Sequence, residues 1–220
     1  IDNFVFLSEG EFDFAKEKFP RFKNKYNYLP FAVDLNIWRP DEGKKREYIL
    51  FVGNDGNRDF ELAEKISNEI TDESFVFLSE QIKIEKLKEN SKIINGSWGS
   101  PAIDDIELRN VYQSAKLTII PLKESLQPSG QSVALQSMAC GTPVLITETE
   151  GFWDKKNFKD YKNIFFAKNN YLQTWVADIN AILNLSEVKI NKVISNGKET
   201  INKHYDLDKF SENIENILIN

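Results

Sequence analysis

Residues 128–144, Pro-Ser-Gly-Gln-Ser-Val-Ala-Leu-Gln-Ser-Met-Ala-Cys-Gly-Thr-Pro-Val, hold the densest chemistry in this chain. They read as a turn, an amphipathic helix, a glycine stop and a strand from Thr142 to Thr147. Another strand, Leu117 to Pro121, stands ahead of them. A polar loop that leads from a strand into a helix opening on small residues is an anion site. The first N–H groups of such a helix have no partner inside it, and its dipole adds partial positive charge there. Ser129 and Ser132 can add hydroxyl donors, Gln131 lies between them, and Gly130 lets a ligand come close to the backbone. A second loop, Gly53-Asn54-Asp55-Gly56-Asn57-Arg58-Asp59, follows the apolar run Tyr48 to Val52 and opens another helix, with Asp59 as its N-cap. Open α/β sheets bind ligands at the carboxyl ends of their strands, where this loop falls. The Arg58 guanidinium can grip a phosphate in bidentate fashion. The dipole at a helix start opposes a cation, which favours a ligand role over a bare surface charge.

Other chemistries find little support. One histidine and one cysteine exclude histidine-rich zinc centres and argue against Ser-His-Asp or Cys-His machinery. His204, beside Tyr205-Asp206 between two expected helices, reads as structural. Cys140 can form no internal disulfide and reads as a buried structural thiol. The Gly53 loop is not a G-x-G-x-x-G fingerprint, so support for NAD is weak, and no Walker A sequence occurs. The acidic pairs Asp104-Asp105 and Glu148/Glu150 can in principle hold a metal or act as acid and base. They read more simply as solvated helix and loop ends.

The elements that must position these loops alternate regularly. Apolar, β-branched or aromatic runs recur at Tyr48–Val52, Phe75–Leu78, Lys92–Ile94, Leu117–Pro121, Val144–Thr147 and Ile164–Ala167. Helical patterns lie between several of them: Asp59 to Ile70, Asp105 to Ala115, and a weak helix at Glu85–Glu89. Such alternation predicts βαβ units, hence an α/β fold with a Rossmann-like, doubly wound parallel sheet of six strands over about residues 46–170. Beyond Ala167 only helices are expected. One apolar stripe runs Leu172, Trp175, Val176, Ile179, Ile182 and Leu183. Another runs Ile190, Val193, Ile194, Gly197 and Ile201. A third runs Phe210, Ile214, Ile217 and Leu218. All three are expected to pack into the core. At 220 residues and 41% apolar content, a core needs no disulfide support. A net charge of −6 with mixed signs disfavours nucleic acid as a partner. No signal peptide and no membrane-length apolar run is present, so the cytoplasm is expected, with peripheral attachment of a full-length protein left open. The chain starts at Ile1 inside an expected strand and reads as a piece of something longer.

Three stretches carry a resemblance beyond these patterns. The 128–144 run, the segment Leu29-Pro30-Phe31-Ala32-Val33-Asp34 with Trp38-Arg39-Pro40, and Tyr48-Ile49-Leu50-Phe51-Val52-Gly53 together resemble the C-terminal, donor-binding domain of GT-B glycosyltransferases, above all retaining family 4. The resemblance implies residues 1–40 as the end of an N-terminal domain with its connection, and 41–220 as the nucleotide-sugar domain. In that family an Arg and a Lys after the first-strand Gly contact the donor diphosphate. Here Asn54 stands at the Arg position, and Arg58 falls one residue before the Lys position. The family holds the nucleotide base after a Gly in the next loop, which implies Gly96, Ser97 and Trp98, with Trp98 stacking on a base, covering the ribose or serving as a hydrophobic lid. The usual Glu-x7-Glu motif is altered. Its second Glu, which binds ribose, is Gln136, and its first falls at Pro128, leaving Glu124 as a weak catalytic candidate.

The implied activity is transfer of a sugar from a nucleoside diphosphate sugar to an acceptor hydroxyl on a carbohydrate, lipid-linked or protein acceptor, with no metal or cofactor. It would need the chain's own N-terminal domain, so this piece alone is expected to bind donor and transfer little. The altered Glu positions keep a non-catalytic nucleotide or sugar-phosphate binding module open as the alternative. A Rossmann-type interaction domain with an empty cleft is a third reading.

Overall fold

The computed structural model describes residues 1–95 and 103–219. Its first unit is small. Strand β1 (Phe4–Phe6), helix α1 (Glu9–Lys18), a 3-10 turn over Pro20–Lys25 and strand β2 (Tyr26–Tyr28) form a two-stranded parallel ribbon with one helix. Ser8 caps α1 by accepting from the Glu11 N–H. The aromatic rings of Phe4, Phe6, Phe12, Phe22, Tyr26 and Tyr28 pack on one another there.

The main sheet follows: β3 (Tyr48–Val52), α2 (Phe60–Glu69), β4 (Ser74–Leu78), β5 (Ser91–Ile94), α3 (Asp105–Gln113), β6 (Ala115–Ile120), α4 (Gln131–Ala139), β7 (Val144–Thr147) and β8 (Phe165–Ala167). All six strands are parallel, in the order β5-β4-β3-β6-β7-β8. This is the doubly wound arrangement expected from the alternation. A parallel sheet covered on both faces has strands that read as unbroken apolar runs. Ile49, Leu50 and Phe51 of β3 are accordingly fully buried, although adjacent side chains point to opposite faces. Leu50, Val52, Val76, Ile120 and Ile146 meet Leu135 and Met138 of α4 on one face. On the other, Ile49, Phe51, Phe77, Leu117 and Leu145 meet Leu62, Ala63 and Ile66 of α2.

Three helices close the chain: α5 (Leu172–Leu183), α6 (Glu187–His204) and α7 (Leu207–Ile219). Trp175, Ile179 and Ile182 of α5 and Val193, Gly197 and Ile201 of α6 are buried, as their stripes require. The third stripe departs from expectation. No residue of α7 is buried; Phe210, Ile214 and Ile217 are only half-covered, and Leu218 is exposed. The end of α7 is tied to the small N-terminal unit, where Asn3 donates to the Ile217 carbonyl. The weak helix at Glu85–Glu89 is also absent. A single 3-10 turn, Ile84–Lys86, stands there. Side chains of α2 and its neighbourhood fasten this crossover in place of its own helical bonds: Asn68 takes the Lys86 carbonyl and the Lys88 N–H. Asn90 spans the carbonyls of Ser67, Ile70 and Glu73.

Candidate functional site: a crevice at the switch point of the sheet

The neighbours β3 and β6 send their following helices to opposite faces, α2 to one and α4 to the other. That divergence opens a crevice at their carboxyl ends, where doubly wound sheets place ligands. The Gly53–Asp59 loop forms one wall and residues 122–130 the other. The backbone stitches the walls together: Asp59 N–H donates to Pro121 O at 2.9 Å, and Lys123 N–H to Asn57 O at 2.8 Å. A polar network supports them from below. Leu122 N–H donates to Thr147 Oγ1 at 2.8 Å, Thr147 donates to Asn170 Oδ1 at 2.9 Å, and Asn170 Nδ2 reaches both Leu122 O and Asp59 Oδ2. Neither Thr147 nor Asn170 was singled out by sequence pattern. The available signal for Thr147 is a hydroxyl residue at the carboxyl end of a core strand.

Arg58 lies on the crevice floor, only 2% exposed, and so is no surface charge. Its side chain folds back over the end of β3, with Nε donating to Val52 O at 3.3 Å. This path requires Gly53: a Cβ there would stand 2.4 Å from Arg58 Nε, and its φ is +153°. Arg58 Nη1 donates to Ser129 Oγ at 3.0 Å and pairs with Asp55 Oδ2 at 3.2 Å. Burial lowers the guanidinium pKa while Asp55 opposes that shift.

Above Arg58 stands the start of α4. Gly130 is its N-cap, at φ +78°, and among the described residues no side chain caps the first turn. Gly130 is also hemmed in, since a Cβ would sit 2.9 Å from Ile120 Cγ2. The leading N–H groups of α4 therefore remain available to an anion. Ser132 is half-buried in this turn, and its hydroxyl makes no hydrogen bond among the described residues. Ser129 differs: its hydroxyl proton goes to Asp55 Oδ1 at 2.9 Å. Gln131 is committed elsewhere as well, its Nε2 donating to Leu7 O at 2.9 Å and tying the helix start to the N-terminal unit.

The remaining candidates are spread more widely. Asn54 Oδ1 accepts from Ser79 Oγ at 3.0 Å and Glu80 N–H at 2.7 Å, so it shapes the loop after β4. Gln136 lies half-buried on α4, its Oε1 accepting from the Tyr112 hydroxyl at 3.2 Å. Tyr112 is fully buried, and burial raises its pKa, which keeps the phenol a donor. Glu124 is exposed and accepts the Glu150 N–H at 2.7 Å, pinning one loop to another. Gly96, Ser97 and Trp98 lie outside the described residues. An apolar cavity of about 410 Å³ adjoins this region, lined by Phe4, Phe6, Phe14, Phe19, Tyr26 and Leu126 among others. Its lining is mainly apolar and includes no Lys or Arg to meet a diphosphate.

Asp104 is the N-cap of α3, in a reciprocal capping box with Glu107. Among the described residues no cluster of three His, Cys, Asp or Glu could hold a metal, and no helix is long and apolar enough to cross a membrane. Burial pushes the Cys140 thiol up to about 12. Iodoacetamide at pH 8 is therefore expected to leave the native protein unmodified and to label it fully in denaturant; native labelling at the rate of a free thiol would contradict this packing.

Comparison with known proteins gives the family and the fold. Residues 36–200 match the family described as glycosyl transferases group 1. A search of curated sequences gives no significant match. Among solved structures, sucrose-phosphate synthase from Thermosynechococcus elongatus aligns at TM-score 0.76 and 15% identity, covering 97% of this chain and 57% of that one. HepE from Anabaena, solved with UDP and glucose, aligns at TM-score 0.74 and 13% identity, covering 99% and 62%. The C-terminal domain of a group 1 glycosyl transferase from Francisella tularensis aligns at TM-score 0.62 and 14% identity, covering 80% of this chain and 99% of that domain. The chain thus spans about three-fifths of the first two proteins. At these identities the likeness is one of fold. With three-quarters of its length matched and the parallel sheet arranged as in those proteins, this chain belongs to the glycosyl transferases group 1 family.

Proposed function

We propose that this chain is the donor-binding part of a glycosyltransferase. It would hold a nucleoside diphosphate sugar while the sugar moves to an acceptor hydroxyl. The observation that carries this reading is the uncapped start of α4 beside the buried Arg58, at the switch point of a doubly wound sheet. Amide dipoles and a guanidinium fixed before the reaction stabilise negative charge growing on a diphosphate leaving group, without a metal. Residues 1–40 would close an N-terminal domain that supplies acceptor contacts, and hexosyl transfer is the form expected. The solved relatives offer support: HepE is described with UDP and glucose, and a variant of TarM from S. aureus with UDP and α-GlcNAc-glycerol. A thermal-shift screen of UDP, GDP and their sugars tests the reading, because a ligand of the native state raises apparent stability. No shift with any of them, and no saturable binding in calorimetry, would sink it.

Gln136 gives a finer test. Its amide oxygen is engaged by Tyr112, so its NH2 is the end left to face ribose oxygens. Gln136→Ala is expected to weaken ribonucleotide binding by roughly 0.5–1.5 kcal/mol, the net worth of a neutral hydrogen bond. A 2′-deoxy analogue should bind the parent less well, and that penalty should shrink in the variant. An equal penalty in both proteins removes Gln136 from the ribose.

One observation favours a binding module without catalysis. Pro128 and Gln136 stand where the family carries glutamates, and Glu124 is spent on the Glu150 N–H. Sugar transfer by the full-length protein separates the two readings.

A further inference from the structure

Asp55 stands in a place that its neighbours make unusual. Its carboxylate accepts the Ser129 hydroxyl on one oxygen and faces Arg58 Nη1 at 3.2 Å with the other. It receives the Asn57 N–H as well, at 3.1 Å. Ser129 and Arg58 are two groups through which the crevice would take up a phosphate. Asp55 thus presents two oxygens and a negative charge to a cation and a hydroxyl, as a phosphate edge does. Exposure gives the order of the layers. The Arg58 side chain is 3% exposed and that of Asp55 47%, so the carboxylate lies on the solvent side of the guanidinium. From that side Asp55 occupies Arg58 Nη1 and the Ser129 hydroxyl at once.

We propose that the Asp55 carboxylate stands in for a donor phosphate and sets donor affinity and charge selectivity by competing for Arg58 and Ser129. The proposal rests on the donor-binding reading above and adds to it a residue that acts through two others. Asp55 needs no chain rearrangement to yield. It is exposed, in a turn held by the Arg58 N–H to its own carbonyl and the Asn57 N–H to its side chain, and rotation of one side chain opens the floor. The competition works through charge, so it bears on diphosphates and not on a nucleoside.

The test is calorimetry on the parent, Asp55→Asn and Asp55→Ala, with UDP, GDP, inorganic pyrophosphate and the nucleosides uridine and guanosine. Asparagine keeps the shape and an acceptor oxygen while removing the charge. Circular dichroism checks that both variants fold. The expected result is tighter binding of pyrophosphate and of the preferred nucleoside diphosphate, by about two- to fivefold, the scale of a half-exposed ion pair. Nucleoside binding should not change. A carboxylate that merely braced the loop would give weaker binding on removal. Unchanged or weaker diphosphate binding in both variants, against measurable binding in the parent, overturns the competition and leaves the donor site standing. An equal gain for nucleosides also overturns it, as general loosening. If no protein of the series binds any diphosphate, the donor-binding reading falls and this proposal with it.

Discussion

Arg58→Ala is expected to weaken nucleoside diphosphate binding by roughly 1.5–3 kcal/mol, the scale of a charge-assisted hydrogen bond, or ten- to a hundredfold and somewhat more in affinity. The argument begins with burial. A guanidinium at 2% exposure has already been stripped of most of its water, so its attraction to an anion at the α4 start is little screened. The substitution also removes the donor to Val52 O and the side chain that fills the space over Gly53. A loss of stability of about 1–3 kcal/mol should accompany the loss of binding. Arg58→Lys separates the two effects. It keeps the charge and much of the stem but not the fork, so stability should recover further than affinity. Calorimetry with UDP or GDP and a denaturant titration give both numbers. Unchanged affinity in a folded Arg58→Ala protein would remove Arg58 from the phosphate site.

Gly130→Ala should be a damaging small substitution in the crevice, lowering stability by about 2–4 kcal/mol. Two costs add. A φ of +78° strains any residue with a Cβ, and that Cβ would stand 2.9 Å from Ile120 Cγ2 and 3.3 Å from Ile146 Cδ1. Ile120 and Ile146 are fully buried strand residues and cannot step aside without disturbing their neighbours. Relief by rotating the backbone would turn the first N–H groups of α4 away from the crevice, so diphosphate binding should fall too. Alanine tolerated with a denaturation midpoint like that of the parent would show that this geometry is softer than its contacts imply.

Sequence reading reached the sheet because its strands are covered on both faces and so appear as unbroken apolar runs, as in Tyr48–Val52. It picked out Gly53, Arg58 and Gly130 as candidates for a related reason: special backbone geometry and charge at a helix start leave local marks. It misjudged α7, since periodicity reports an apolar face and is silent on what covers it; the stripe exists, yet Leu218 is 74% exposed. It misjudged Glu85–Glu89 because Asn68, distant in sequence, competes for that backbone by donating to the Lys86 carbonyl and accepting the Lys88 N–H. The partners of the site were hidden in the same way. Asp55 with Ser129, Tyr112 with Gln136, and Thr147 with Asn170 are pairs made by tertiary folding from common residue types. Nothing local distinguishes them. Ser129 and Gln131 show the converse, being legible as polar groups at a helix start but not as groups already engaged, one with Asp55 and one with Leu7 O.

During synthesis β3 leaves the ribosome long before β6, its neighbour in the sheet. Tyr48 must wait for Ala115, and Phe51 for Ile119. Until then one edge of β3 has no partner, and part of the apolar surface on both its faces lacks its final cover. Parallel pairing over such a separation pays its loop-closure entropy before any contact returns it, which slows folding. The two walls of the crevice therefore meet late. A nascent chain ending before Ile120 carries the Arg58 loop but none of the α4 start that faces it. Folding in about the millisecond-to-second range of non-local topologies, with losses to aggregation when the chain is concentrated, follows from the same adjacency of β3 and β6 that makes the crevice.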